Sequence, residues 1–372
     1  MNLDFTEEQQ ALRSEARRLL EARAPLKAVR AALDGGDPYA RDLWWETAGL
    51  GWFGAAIPEA YGGLGLDRVF LCGLAEEFGR TLAPLPLESS VFTAAEALLL
   101  AGSEDQKQRW LPQMAAGKAV GALAINEGPG PMLGGAAWKV QVRQGRLHGL
   151  KAPVCDGHAV EFAIVAATDD GGEGLWLADL SKPGVARDRL DSFDPSRPLS
   201  RLTFDGLEAE PLPGAIGDPR GLLRRILERG AVYTAFLQLG GAQRALEVTR
   251  DWALERKAFG RPIGGFQAIK HKLADLYAQV ELARSNAYFA AWALANEAPD
   301  LPLAAAVARV SATEAFEQAG RDMIHIHGAL GVTWESDCQL FYRRSRHLAL
   351  VLGAPDEWRE RIMSELETRN AA

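Results

Sequence analysis

Apolar residues recur at three-to-four spacing through FTEEQQALRSEARRLLEARA (5–24), the periodicity of an amphipathic helix. Thr6, followed by two glutamates, marks its start. IPEAYGGLGLDRVFLCGLAEEFGR (57–80) reads as a Pro/Gly loop entering a further helix. SEDQKQRWLPQMAAGK (103–118) begins at Ser103, a good cap, with Trp110 and Leu111 on its apolar face. From about residue 118 to 220 the pattern changes. Short apolar runs (VGALAIN, FAIVAAT, GLWLADL, SRLTFDG) separated by Gly, Asp and Pro clusters predict strands. The alternation in WKVQVRQGRLHGLK predicts a hairpin turning at Gln144 and Gly145. Long helical patterns return over 221–256, 266–296, 302–329, 337–351 and 356–370. Their Ala-rich interiors, such as AYFAAWALA, suit close helix packing in a bundle.

The expectation is an α+β multidomain chain: an N-terminal α-helical domain (1–117), a β domain (118–220) and a C-terminal helical bundle (221–372). A chain of 372 residues is long enough to bury a sizeable core. The net charge of −8 is spread along the sequence without a long basic run, which argues against nucleic acid or an anionic membrane as partner. Cys72, Cys155 and Cys338 are odd in number and far apart, so neither a disulfide framework nor a zinc cluster is expected. A reducing compartment fits this cysteine usage. The opening segment carries acids and no apolar h-region, and no window has the apolar length of a membrane span. A cytoplasmic location is expected.

Three stretches carry a family resemblance. GAQRALEVTRDWALERKAFGRPIGGFQAIKHKLADLYAQVELARSNAYFAAWA (241–293), HIHGALGVTWESDCQLFYRRSR (325–346) and PEAYGGLGLD (58–67) together resemble the acyl-CoA dehydrogenase family, in the right order along essentially the whole chain. The R-K-x-F-G…F-Q segment is the specific part. The resemblance implies an N-terminal α-helical domain, a middle β-barrel and a C-terminal four-helix bundle. It also implies an activity, in which a carboxylate removes the α-proton of an acyl-CoA thioester while FAD takes the β-hydrogen as hydride. Such a base needs a dry pocket that raises its pKa.

Carried over residue by residue, the resemblance makes Arg256, Phe259 and Gln267 the groups that reach across a subunit interface to a neighbour's FAD. Guanidinium forks match phosphate oxygens, which suits Arg256 to a pyrophosphate; the alternative is a solvated charge at a helix end. His325, Gly328 and Ala329 fall in the family's glycine-containing segment that approaches the same FAD, with His325 replacing its usual amide. His325 and His327 are two apart and face different sides of a helix, so they are not expected to share a metal.

The middle domain departs from the family pattern. Ala124–Pro131 replaces a threonine-glutamate-proline segment that is followed by glycine-serine; Asn126 can substitute for the threonine, but the glycine-serine is lost. Pro153, Val154 and Cys155 stand where a tryptophan-x-threonine motif packs on the isoalloxazine. Proline supplies neither an indole face nor a backbone N–H. The base is missing as well. The usual glutamate position is Leu352, before Gly353, and the minority position on the bundle helix is Gly230; neither can take a proton. The nearest carboxylates are Glu228, about 200° round the helix from Gly230, and Asp356, which has the look of an N-cap.

The departures cluster where this chain's own active pocket would be, while the residues lent to a neighbour remain. The expectation is therefore a subunit without its own base, resembling the partner subunits of heteromeric (α2β2) bacterial acyl-CoA dehydrogenases for steroid side chains and other bulky acyl-CoAs. FAD at a subunit interface and electron-transferring flavoprotein as acceptor follow from the same resemblance. Two readings stay open on sequence alone. One is a self-sufficient homotetramer with a non-standard base, and the other is a flavin-free scaffold on the same fold.

Overall fold

The computed structural model describes residues 5–23, 25–35, 37 and 39–371. Residues 1–4, 24, 36, 38 and 372, which the expected terminal domains include, lie outside the described residues. In chain order the helices are α1 (Glu7–Ala22), α2 (Pro25–Leu33), α3 (Arg41–Gly49), α4 (Arg68–Arg80), α5 (Ala95–Ala101), α6 (Glu104–Ala115), α7 (Pro219–Glu255), α8 (Gln267–Ala295), α9 (Leu301–His327), α10 (Cys338–Leu350) and α11 (Pro355–Ala371). Between α6 and α7 lie strands β1 (Gly121–Ala124), β2 (Gln141–Arg143), β3 (Arg146–Cys155), β4 (Phe162–Asp169), β5 (Gly172–Asp179), β6 (Val185–Leu190) and β7 (Leu199–Pro211). A small hairpin, β8 (Lys257–Ala258) with β9 (Arg261–Pro262), joins α7 to α8.

Sequence signals place several ends correctly. Thr6 and Ser103 each cap their helix through a reciprocal capping box, with Gln9 and Gln106 at the third helical position. Asp356 does not cap α11. The helix begins one residue earlier at Pro355, and the Glu357 carboxylate accepts from the Ala354 N–H at 3.0 Å instead. Proline is pre-set for a first helical turn, which moves the start forward.

By packing, the chain forms two compact units. The helical unit draws on Met1–Arg30, Val69–Ala83 and Ala231–Ala372. Here α8, α10 and α11 all pack on α9. Alanines 304, 305, 306, 308, 312, 315 and 319 of α9 are buried, so small side chains bring these helices close. Helix α4 meets α7 backbone to backbone. A Cβ on Gly79 would lie 1.9 Å from the Leu237 carbonyl oxygen, and one on Gly240 would lie 1.9 Å from that of Glu76. Only glycine permits this contact, and substitution at either position would force the helices apart.

Paired charges surround that crossing. Arg13 and Arg284 bind Glu76 at 2.6 and 2.7 Å, Arg17 binds Glu77 at 2.8 Å, and Arg80 grips both oxygens of Glu247. Burial pushes the Glu247 carboxyl up, but the Arg80 fork, with Gln243 and Arg244, outweighs it and holds the pKa at about 2. A folded-state pKa below the ordinary value gives stability that is present above about pH 4.5 and lost as pH falls toward 2. Acid unfolding of Glu247→Gln should therefore show a shallower decline than wild type across that window. Parallel curves would show that this pairing carries no pH-linked stability.

The second unit, Ala31–Arg68 with Pro84–Gly230, contains the closed sheet. Its strands run β4–β2–β3–β7–β5 and return to β4, with β1 parallel on β4 and β6 antiparallel on β7. This closure removes two edges and makes the expected barrel. Phe162 to Ala167 of β4 are all fully buried, so this strand reads as a continuous apolar run rather than an alternation. Trp110 of α6 packs on Phe162 at 4.5 Å between ring centroids. Gln144 and Gly145 turn the β2–β3 hairpin with φ of 51° and 73°, the paired left-handed geometry of a tight hairpin turn.

Candidate functional site

Helix α7 ends at Glu255, and the next four residues form one arm and the tip of the β8–β9 hairpin. The Arg256 N–H still bonds the Trp252 carbonyl at 2.8 Å, and the Arg256 carbonyl accepts from Ile263 N–H at 2.8 Å. The base of the hairpin is thus fixed to the helix end. Phe259 and Gly260 form its tip at φ of 50° and 79°. Phe259 is 96 % exposed, and its ring stands edge-on to Phe266 at 6.2 Å. A phenylalanine in left-handed backbone with its side chain in water has no reason within this chain to be there.

Arg256 is exposed, and among the described residues no carboxylate pairs with it. Its guanidinium lies 5.9 Å from the Trp252 ring centroid. Trp252 in turn stacks on His327, the last residue of α9, at 4.9 Å and 15°. The His327 Nδ1–H donates to the Met323 carbonyl at 2.7 Å, and burial lowers the ring's pKa, so it is neutral at pH 7. Gly328 follows at φ 65° and ψ −141°, with nothing within 4 Å of a Cβ placed there. The backbone angle demands glycine at this position; the surrounding space does not. His325 and Ala329 are exposed beside it, and Gln267 is exposed at the start of α8.

These placements bring Arg256 and the His327–Gly328 corner together through Trp252, a contact absent from the sequence reading. Its only sequence signal is that Trp252 lies one helical turn before Arg256. His325 is solvent-facing while His327 spends Nδ1 on a backbone carbonyl. Among the described residues, no group of three or more His, Cys, Asp or Glu is placed to hold a metal ion.

In the barrel unit, Asn126 lies on the segment after β1, and its amide reaches the Pro153 carbonyl only at 3.5 Å. Pro153 is exposed, Val154 is buried, and burial pushes the Cys155 thiol up, which makes it a poor nucleophile. The adjoining loop is held by charges that sequence reading missed. Lys151, fully buried, donates to Glu127 Oε1 at 2.7 Å and to the Ile125 carbonyl at 2.9 Å; burial lowers its pKa to about 8. Glu127 also accepts from the Lys139 and Val140 N–H groups at 2.7 and 2.9 Å. Arg220 grips both oxygens of Glu173 at 2.6 Å, and donates to the Gly134 carbonyl and, at 2.7 Å, to that of Ala136. The loop these contacts hold lines a cleft of about 260 Å³ between Ile125 and Lys139, mostly glycine, proline and alanine.

The carboxylates complete the inventory. Leu352 is 5 % exposed, and its carbonyl accepts from the Trp358 indole N–H at 3.0 Å. Gly230 and Glu228 are buried in α7, whereas Asp356 is exposed and bonds Arg359 at 2.6 Å.

The fold and this basic, glycine-cornered edge agree with what the chain resembles. A model of the acyl-CoA dehydrogenase N-terminal domain matches residues 6–118, and one of the acyl-CoA dehydrogenase C-terminal domain matches residues 221–366. Acyl-CoA dehydrogenase IpdE2 of Mycobacterium tuberculosis is 34 % identical over 97 % of this chain and 98 % of its own length. Among solved structures, a Tcur3481-Tcur3483 steroid ACAD variant superposes with a TM-score of 0.88 at 31 % identity, covering 98 % of this chain and 99 % of that one. The ChsE4-ChsE5 complex from Mycobacterium tuberculosis matches with a TM-score of 0.88 at 26 % identity, covering 99 % of both chains. The chain belongs to the acyl-CoA dehydrogenase family, oxidoreductases that act on acyl-CoA. No described helix is long and apolar enough to cross a membrane.

Proposed function

We propose that this chain is a subunit of a heteromeric acyl-CoA dehydrogenase, lending a cofactor-binding edge to a homologous catalytic partner and supplying no proton-abstracting base of its own. The observation that carries this is a contrast. Both base positions are buried apolar or side-chain-free residues, Leu352 and Gly230, whereas Arg256, Phe259 and Gln267 face solvent. The residues fit FAD on one side only. The helical edge offers an uncompensated guanidinium and an open glycine corner suited to a dinucleotide's phosphates. The barrel face offers a proline in place of a donor, a buried valine and an inert thiol.

FAD, held at this edge, would supply the acceptor for the substrate's β-hydrogen. This chain's residues would bind and orient: Arg256 through charge-assisted bonds, Gln267 through its amide, Gly328 by close backbone approach. On the barrel side Asn126 would offer its amide, whose 3.5 Å contact to the Pro153 carbonyl is a weak one. The α-proton would go to a carboxylate of the partner. The substrate class proposed is a bulky acyl-CoA such as a steroid side-chain thioester, supported by the steroid ACAD likeness and by two-protein complexes among the similar structures. Electron-transferring flavoprotein as acceptor and a cytoplasmic location belong to the same proposal.

Purified alone, the chain should be colourless and fail to reduce a dye with acyl-CoA, gaining both properties when co-expressed with its partner. A yellow, active chain on its own would instead support a homotetramer with another base. Phe259→Ser should leave the thermal stability of the isolated chain unchanged, because the ring is 96 % exposed there. It should weaken assembly by roughly 2 kcal/mol, about 30-fold, if the ring is an interface anchor. Unaltered assembly, measured by analytical ultracentrifugation, would remove Phe259 from the interface.

A further inference from the structure

We propose that His327, stacked on Trp252, is a positioning residue that joins the ends of α7 and α9 into one dinucleotide-binding edge. This rests on the reading of Arg256 and Gly328 as groups lent to a partner's FAD. Those two residues lie on different helices, so their separation is not set by either helix alone. Arg256 is one turn beyond Trp252 and bonds its carbonyl at 2.8 Å, while Gly328 directly follows His327. Gln238 joins the two helices further back, through Arg309 and Thr313, and the stack at 4.9 Å and 15° is a direct contact between their ends.

Two features indicate that the stack is held for its geometry. The Trp252 indole N–H is buried and makes no hydrogen bond among the described residues, an arrangement that costs stability and leaves the ring's face as its useful part. His327, by contrast, is locked. Its Nδ1–H is committed to the Met323 carbonyl at 2.7 Å, which fixes ring rotation and so the plane offered to the indole. Both helices also present their carbonyl ends here, a negative end that disfavours phosphate. A guanidinium placed a short distance off would leave that repulsion uncompensated, so its placement decides whether the edge binds an anion at all.

The test uses the complex of this chain with its catalytic partner and reads FAD dissociation by flavin fluorescence, independently of turnover. His327→Ala and Trp252→Ala should each weaken FAD retention by about tenfold, the scale of a lost aromatic pair. His327→Phe, which keeps a ring but loses the Met323 bond that fixes its plane, should fall between wild type and His327→Ala. The double variant R256Q/H327A should bind no more weakly than R256Q, because His327 acts through Arg256. Wild-type retention in His327→Ala, or full additivity with R256Q, overturns the inference while leaving the lent-edge reading intact. Retention of FAD by R256Q overturns that reading, and the inference with it. If the alanine variant fails to assemble, His327→Gln replaces it. Phenylalanine binding as poorly as glutamine then refutes a role for the stack.

Discussion

Replacing Arg197 by methionine is expected to destabilise the barrel unit by about 3–5 kcal/mol, the usual cost of removing one partner from a buried ion pair. Arg197, Glu88 and Asp156 are each 1 % exposed. The guanidinium donates to Glu88 Oε2 at 2.7 Å, to Asp156 Oδ2 at 2.8 Å and to the Leu85 carbonyl. The Asp156 carboxylate also accepts from the Ser89 hydroxyl at 2.5 Å. Without the arginine, the buried Glu88 and Asp156 carboxylates lose the guanidinium they share. Urea melts at pH 7 check the size of the loss. A loss below about 1 kcal/mol would show that the carboxylates do not depend on Arg197.

Arg256→Gln should do the opposite: no change in the fold, and loss of flavin from the assembled enzyme. The side chain is exposed, and no carboxylate among the described residues competes for it. Glutamine keeps a donor and removes the charge and the fork. Truncating a hydrogen-bonded charge pair at an interface typically costs roughly 2–5 kcal/mol, at least about 30-fold in affinity. Arg256→Lys should fall between the two, since it restores charge without bidentate geometry. Thermal melts of the isolated chain and fluorescence of released FAD from the complex separate the two effects. Undiminished flavin content in Arg256→Gln would count against a lent edge.

What could be read from sequence follows from how local each signal is. The α7 to α11 helices and the barrel strands other than β6 were legible because periodicity repeats within each element, whereas β6, VARDRL, has too few apolar residues to stand out; Thr6 and Ser103 announce helix starts within three residues. The turn at Gln144 and Gly145 was equally local. Asp356 was misplaced as a cap because Pro355 can itself begin a helix. The π-helical turn at Leu87–Ala94 left no pattern, since its buried run suits an α-helix as well. The Arg197 cluster was illegible for another reason: its partners lie 109 and 41 residues away. The stack of Trp252 on His327 and the clasp of Arg220 on Glu173 were hidden in the same way, by distance along the chain. For the site, the expectation that Leu352 and Gly230 stand where the family places its base came only through family resemblance; nothing in spacing marks an absence.

The lent-edge account depends on flavin stoichiometry more than on any single residue. Mass and flavin content should be determined on the intact complex of this chain with its catalytic partner. One FAD per two chains is the predicted result, since each cofactor would use the partner's barrel and this chain's Arg256 edge. One FAD per chain would contradict the account, because Pro153, Val154 and Cys155 would then have to hold a flavin after all.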